Sequence, residues 1–97
     1  VYHYDGQTWA AMLYLTPDAP YNTGTSLYAS KNTGSRYGSS DAFTGGFYDD
    51  TKFDLVDSVG NVFNRLFIFD AQNIHAASKY FGQTKEDSRL FHIFFFD

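Results

Sequence analysis

The segment Arg65-Leu66-Phe67-Ile68-Phe69-Asp70-Ala71-Gln72-Asn73-Ile74-His75 joins two apolar runs through a short polar break. The first run, residues 65–70, is short and intensely apolar, which is typical of a β-strand. Ala71-Gln72-Asn73 predicts a turn, and residues 74–80 are predicted to form a weaker strand with a histidine near its start. This segment therefore favours a β fold.

Four further strands are predicted on either side of that segment. They are expected at residues 8–15, 25–30, 52–57 and 89–96, where apolar or alternating runs end at turn signals such as Thr16-Pro17-Asp18 and Gly60-Asn61. No amphipathic helix of useful length lies between them, which disfavours a parallel βαβ architecture. The six strands predict an all-β sandwich or jelly roll.

Residues 31–50 are rich in Gly, Ser, Asn, Thr and Asp and show no persistent strand or helix period. They are predicted to form one long loop. A loop of this length inside a compact domain is usually a lid or a binding loop, and its aromatic residues could pack over a pocket. A connector without a functional role is the alternative.

Composition limits the class of protein further. A chain of 97 residues predicts one domain, and 21% aromatic residues suit half-buried β-strands. The net charge of -4 and the scattered cations make nucleic acid an unexpected partner. No apolar run approaches the roughly 20 residues that cross a bilayer, so no membrane partner is expected. With no targeting signal at its start, the chain is expected to be soluble, and the cytoplasm is the default compartment.

The absence of cysteine leaves His, Asp and Glu as the available metal ligands. In an extended segment, His3 and Asp5 point in the same direction because side chains alternate along a strand. His75 is the best placed third ligand. Two histidines and one carboxylate leave about three open positions on a metal, as in non-haem Fe(II) oxygenases. The alternatives are a surface His beside an Asp and a core histidine bonded to a backbone carbonyl.

Arg89 opens the last predicted strand, which is otherwise apolar and aromatic. Alternation places Arg89 on one face with Phe91, Ile93 and Phe95, and both faces are expected to be buried. An arginine in such surroundings needs an anion, and its planar fork fits a carboxylate in bidentate geometry. The alternative is an edge arginine that extends to solvent and pairs with a nearby acidic residue.

The sequence resembles the Fe(II)/2-oxoglutarate-dependent dioxygenase superfamily, especially its prolyl-hydroxylase-like branch. The resemblance covers almost the whole chain except the loop at 31–50. The matching elements, in order, are His3-Tyr4-Asp5, Leu13-Tyr14-Leu15-Thr16, Thr23-Gly24-Thr25-Ser26-Leu27-Tyr28, Arg65-Leu66-Phe67-Ile68-Phe69-Asp70 through His75, and Arg89 through Asp97.

The resemblance implies a double-stranded β-helix, the cupin-like jelly roll. It also implies that His3, Asp5 and His75 bind Fe(II), while Arg89 and Tyr14 bind the distal carboxylate of the cosubstrate 2-oxoglutarate. The expected reaction is hydroxylation of a peptidyl side chain or a small molecule, giving succinate and carbon dioxide. Two other functions stay open: a cupin-type enzyme that does not use 2-oxoglutarate, and a non-catalytic β-sandwich binding module.

The chain departs from the family pattern in three places. Thr23 replaces one glycine of an expected pair, and the fourteen positions from His75 to Arg89 are more than the family pattern predicts. Two strands expected before His3 have no counterpart here. Residues 1–97 are therefore interpreted as the C-terminal part of a longer jelly-roll domain, or as a chain that forms a homo-oligomer through an exposed edge. His92 is expected to be a core or inter-sheet histidine, outside the site.

Overall fold

The computed structural model describes residues 2–43, 50–78 and 90–97. All six predicted strands are present. In chain order they are β1 (Trp9–Tyr14), β2 (Thr25–Ser30), β3 (Phe53–Val59), β4 (Leu66–Asp70), β5 (Ile74–Ala77) and β6 (Phe91–Phe96). Short 3-10 turns lie at Tyr21–Thr23, Asp41–Phe43 and Asp50–Lys52. The described ranges contain no α-helix, which confirms the all-β class, and no helix among them is long and apolar enough to cross a membrane.

The strands form two antiparallel sheets of three strands each. The β1 sheet has the order β4-β1-β6, and the β2 sheet has the order β3-β2-β5. The chain passes between the sheets three times after β3, because β4, β5 and β6 alternate between them. This arrangement is compatible with a β-sandwich.

The core between the sheets is small. Ala10 and Phe69, which are cross-strand neighbours in the β1 sheet, pack with Leu27 of the β2 sheet and with Ala71. Alternation along β1 buries Ala10, Met12 and Tyr14 on this inner face. The inner face thus brings the middle of β1 against the middle of β2.

A second apolar cluster covers the outer face of the β2 sheet. Ala42 and Phe43, from the predicted loop, pack against Phe53 and Ile74, with Tyr2 and Tyr28 at the margin. Loop residues 31–43 therefore contribute to the core behind the sheet, whereas the sequence suggested packing over a pocket. The physical reason is that Ile74 and Tyr28 form an apolar outer surface that the loop covers. Residues 44–49 of the loop lie outside the described part of the chain.

The expectation that both faces of the last strand are buried was wrong. Four of the six residues of β6 are large exposed hydrophobics, at 39–44% of their full exposure. Strand β6 pairs with β1 along one edge, and no described strand lies along its other edge. His92, expected in the core, is exposed and stacks on Phe94 with ring centroids 4.2 Å apart. The apolar residues on both faces of β6 therefore do not reflect burial by the six described strands.

Gly24 immediately precedes β2, at a point of close backbone contact. A Cβ at this position would overlap the carbonyl oxygen of Val59 on the neighbouring strand. Glycine is therefore required here by the approach of two backbones. Thr23, which replaces the other glycine of the expected pair, is buried and donates its hydroxyl to the Pro20 carbonyl at 2.6 Å.

Candidate metal centre

The first residues of the chain extend the β2 sheet beside β5. His3 and His75 form an antiparallel bridge, in which the His3 N–H donates to His75 O at 3.1 Å and the His75 N–H donates to His3 O at 2.9 Å. Two positions further on, the Asp5 N–H donates to the Ala71 carbonyl at 2.8 Å. Backbone hydrogen bonds therefore hold the N-terminal segment in register with the residues that surround His75.

Side-chain alternation along this segment separates structural residues from polar ones. Tyr2 stacks on Phe53 with ring centroids 4.3 Å apart, and Tyr4 stacks on Phe43 with ring centroids 5.7 Å apart. Phe53 and Phe43 both belong to the outer cluster. His3 and Asp5 lie on the opposite face, which is the face of His75. The two tyrosines thus anchor the segment and direct the imidazole and the carboxylate inward.

The structure brings the three proposed metal ligands together. One ligand atom each from His3, Asp5 and His75 lie within 4.8 Å of one another. His75 Nε2 is 3.1 Å from Asp5 Oδ2, and the two imidazole rings have centroids 4.2 Å apart. His75 is buried, and the Asp5 side chain is 21% exposed. The cluster therefore lies at the margin of the inter-sheet core, where a small ligand can reach it.

The hydrogen bond of His75 defines which of its nitrogens carries the proton. Nδ1 lies 2.7 Å from the carbonyl oxygen of Asn73, and a carbonyl can only accept, so Nδ1 is the donor. In the neutral ring, Nε2 then presents a lone pair toward the Asp5 carboxylate. Asp5 Oδ2 is buried and accepts no hydrogen bond from any described residue. Two acceptor atoms thus face each other at 3.1 Å.

A protonated His75 paired with Asp5 would also bring these atoms together. Against this, burial lowers the pKa of His75, and the neighbouring His3 lowers it as well, while the Asn73 hydrogen bond and Asp5 act in the opposite direction. The neutral ring, with its lone pair directed at the carboxylate, is the form that the surroundings favour.

A cavity of about 170 Å³ adjoins the cluster between the sheets. His3 and His75 form its polar wall, and the remaining lining residues are Met12, Thr25, Ala76, Ala77, Phe91 and Ile93. At roughly 30 Å³ for each water in the liquid, this is space for a small organic molecule and too little for a large ligand. The cavity joins the three proposed ligands to the start of β6.

Tyr14 lies one hydrogen bond behind the cavity wall. Its side chain is fully buried, and its hydroxyl is 2.7 Å from the hydroxyl of Thr25, which lines the cavity. Thr25 Oγ1 also lies 3.4 Å from the sulfur of Met12. The structure therefore places the phenol next to the cavity, with Thr25 between them. The sequence pointed to Tyr14 and missed Thr25, although Thr25 begins the glycine-led strand of the motif.

Arg89, the predicted carboxylate ligand, lies outside the described residues. It stands two positions before Phe91, which is paired with Tyr14 and lines the cavity. His92 is on the opposite face of β6 from Phe91 and Ile93, so it takes no part in the cavity. Asn73, whose carbonyl holds His75, was not singled out from the sequence, because a backbone acceptor leaves no mark in residue type.

Comparisons with known proteins give no family assignment. No model of a known protein family, no curated protein and no solved structure matches the chain. The function must therefore be inferred from the site itself.

Proposed function

We propose that this chain is the metal-bearing core of an Fe(II)- and 2-oxoglutarate-dependent oxygenase. The observation that carries the proposal is the pair of facing acceptors, His75 Nε2 and Asp5 Oδ2, with His3 beside them. Two lone pairs at this distance repel each other unless a cation lies between them. A divalent ion satisfies both atoms and the imidazole of His3 together.

The donor types and the closest pair of ligands fit such an ion, and the three ligand atoms together lie within 4.8 Å of one another. Nitrogen and oxygen ligands bind first-row metals at about 2.0 to 2.2 Å, so two adjacent ligands of an octahedral ion are about 3 Å apart. The separation of 3.1 Å between His75 Nε2 and Asp5 Oδ2 matches this value. Two histidines and one carboxylate on one side of the ion leave three positions for exogenous ligands, which favours non-haem Fe(II).

The surrounding residues support the cosubstrate as well. The cavity continues from the histidines past Thr25 to Phe91, so a short dicarboxylate could reach from the metal toward the start of β6. Thr25 supplies a hydroxyl group to the cavity wall, and the Tyr14 hydroxyl is hydrogen-bonded to it from behind. Arg89 remains the proposed partner for the distal carboxylate, because it is the cationic residue nearest to the start of β6 in the sequence. The next one, Lys85, lies four positions further from the strand.

Each residue has a defined part in the proposed reaction. Asp5 contributes the negative charge, His75 is oriented by the Asn73 carbonyl, and His3 is held by its backbone bridge to His75. Met12, Phe91 and Ile93 give the cavity an apolar wall. When bound, iron and 2-oxoglutarate supply the oxygen activation that hydroxylates a substrate C–H bond, with succinate and carbon dioxide as co-products.

The finer fold assignment belongs to the same proposal. A jelly roll alternates consecutive strands between two facing sheets, and β3 to β6 follow that rule. The N-terminal segment adds to β5 through the antiparallel bridge between His3 and His75, at the position of a fourth strand of the β2 sheet. The site then lies at the margin of the inter-sheet space, as a cupin-like double-stranded β-helix requires. The substrate is proposed to be a peptidyl side chain or a small molecule.

The test is an anaerobic titration of the protein with Fe(II) and 2-oxoglutarate, followed by the visible charge-transfer absorption of the chelate. We expect a band in the wild type, none in His75→Ala, and a much higher 2-oxoglutarate requirement in Arg89→Ala. His92→Ala is the matched control, since this exposed histidine lies on the other face of β6. Fe(II) binding without a chelate band would favour a cupin-type enzyme that does not use 2-oxoglutarate, and a band that is insensitive to Arg89→Ala would remove Arg89 from the site. No metal binding in the folded wild type would favour a binding module.

A further inference from the structure

The turn between β4 and β5 is the structural centre of the candidate site. It runs from Asp70 to Asn73, and its carbonyl groups accept hydrogen bonds from three separate parts of the chain. Ala71 O accepts from the Asp5 N–H at 2.8 Å, and Gln72 O accepts from the Gly38 N–H at 2.8 Å. Asn73 O accepts from His75 Nδ1 at 2.7 Å. Two proposed metal ligands therefore take their positions from one four-residue turn.

The direction of these carbonyl groups depends on how the turn is closed. The Asn73 N–H donates to Asp70 O at 3.0 Å, which is the backbone bond of a β-turn. The Gln72 N–H donates to the Asp70 carboxylate, Oδ1, also at 3.0 Å. This second bond is an Asx turn, in which an Asp or Asn side chain reproduces a backbone acceptor two residues before the donor. Asp70 thus accepts hydrogen bonds from the amides of the third and fourth residues of the turn, Gln72 and Asn73.

We propose that Asp70 is a positioning residue for the metal centre. Its carboxylate holds the turn so that Asn73 O faces His75 Nδ1, which places the proton on Nδ1 and leaves Nε2 free to bind a cation. The same turn sets the position of Asp5 through Ala71 O. Asp70 does not contact the metal; it acts through the carbonyl groups of Asn73 and Ala71. This inference rests on the proposed metal-binding function.

The chemistry of the Asx turn separates geometry from charge. Asparagine carries the same acceptor oxygen at the same distance from the backbone, so Asp70→Asn keeps the turn and loses the negative charge. Glutamate is one methylene longer, so Asp70→Glu keeps the charge and moves the acceptor away from the Gln72 N–H. A positioning role predicts that the asparagine variant behaves like the wild type. An electrostatic role predicts that the glutamate variant does.

The first readout needs no metal. Long-range ¹H–¹⁵N correlation spectra of the metal-free protein, recorded at a pH where the ring is neutral, report which nitrogen of His75 carries the proton. We expect the Nδ1–H form in the wild type and in Asp70→Asn, and a mixture of the two neutral forms in Asp70→Glu. Asp57→Glu is the matched control, because Asp57 Oδ1 also accepts a backbone N–H, that of Ser58 at 2.8 Å, on strand β3.

The second readout is the affinity for Mn(II), measured by its paramagnetic signal. Loss of residues that orient metal ligands costs about 10- to 100-fold in affinity, and Asp70 acts one step further away. We therefore expect about tenfold weaker binding in Asp70→Glu and less than about twofold change in Asp70→Asn and Asp57→Glu. Both substitutions keep a polar side chain at the half-buried Asp70, and circular dichroism of each variant checks that it is folded before the two readouts are compared.

The outcomes separate this proposal from the one on which it rests. Equal behaviour of Asp70→Glu and Asp57→Glu in both readouts would overturn the positioning role. An Asp70→Asn variant that is as impaired as Asp70→Glu would overturn it too, in favour of charge. If the wild type binds no Mn(II), the proposed metal centre is overturned. If the His75 proton nevertheless moves between the ring nitrogens in Asp70→Glu, the control of His75 by the turn is supported.

Discussion

The two sheets differ in how their outer faces are covered. The outer face of the β2 sheet packs against Ala42, Phe43 and Tyr2, so this sheet has an apolar layer on both sides. The outer face of the β1 sheet carries large hydrophobics at 41–54% exposure, namely Trp9, Leu66, Ile68, Phe94 and Phe96. The proposed metal ligands attach to the covered sheet. The comparison shows that the site is built on the half of the molecule that is packed on both faces.

The edges of the two sheets differ in the same sense. Strand β3, at the edge of the β2 sheet, carries Asp54 and Asp57 and a register shift opposite Leu27 and Tyr28. Charges and irregularities of this kind discourage pairing with another chain. Strand β6 has the sequence Phe-His-Ile-Phe-Phe-Phe, with no charge and no register shift against β1. The β1 sheet therefore has both a face and an edge suited to further contacts.

The largest expected effect compares two isoleucines, one in each sheet. Ile74→Ala removes a fully buried side chain from the outer cluster of the β2 sheet and should lower the free energy of unfolding by about 2 to 5 kcal/mol. Ile68→Ala, on the exposed face of the β1 sheet, should cost less than about 1 kcal/mol. Urea denaturation monitored by circular dichroism measures both. Equal losses would mean that the β1 face is covered in solution.

The next effect concerns metal-dependent stability. At a metal concentration of 100 times Kd, binding to the folded state should raise the free energy of unfolding by about 2.7 kcal/mol. His75→Ala should abolish this increment, and His92→Ala, on the other sheet, should retain it. Thermal unfolding with and without Mn(II) under argon gives the comparison. If the metal-dependent stabilisation persists in His75→Ala, the metal binds somewhere other than the proposed site on the β2 sheet.

Association through the β1 sheet should give a smaller effect. The sequence predicted a homo-oligomer or a contact with a further segment, and the exposed face and edge are where such a contact would form. Lysine at Ile68 and Phe94 should weaken self-association at least tenfold, or about 1.4 kcal/mol. Sedimentation equilibrium over a range of concentrations measures this change. Leu55→Lys, at an exposed position of the opposite edge strand, is the control and should have no effect.

The smallest expected effect is the pH dependence that comes from His75. Because its pKa in the folded protein lies below the ordinary value of 6.5, the unfolded state binds more protons between those two values. Stability is therefore full above pH 6.5 and falls as the pH drops from 6.5 toward the folded pKa. His3 and Asp5 face this ring and contribute to the shift. Denaturation of metal-free wild type and His75→Ala at several pH values isolates this contribution, because the stability difference between them should change with pH below 6.5 and become constant above it.

Much of the fold could be predicted because it is encoded locally. Apolar runs and turn signals located all six strands, and β2 was predicted at the residues where it is found. The same alternation that makes His3 and Asp5 point one way is visible in any extended segment. These features depend on neighbours along the chain, so a single sequence is enough to find them.

The rest depends on contacts between distant residues. Nothing in the sequence of β6 distinguishes a strand at an open edge from one buried in the middle of a sheet, so its exposure and that of His92 were missed. The destination of Phe43 follows from the apolar outer surface formed by Ile74 and Tyr28, which appears only once β2 and β5 pair. The orienting carbonyl of Asn73 is a backbone group, which has no signature in residue type.

The bridge between His3 and His75 also concerns the order in which parts of the protein open. These residues are 72 positions apart in the sequence (75 minus 3), and the segment before β1 joins the sheet at its margin. Such marginal segments open locally long before the whole domain unfolds. An ion bound by both histidines would have to leave before that opening. Amide hydrogen exchange of residues 3 to 5 would then follow the lifetime of the bound metal.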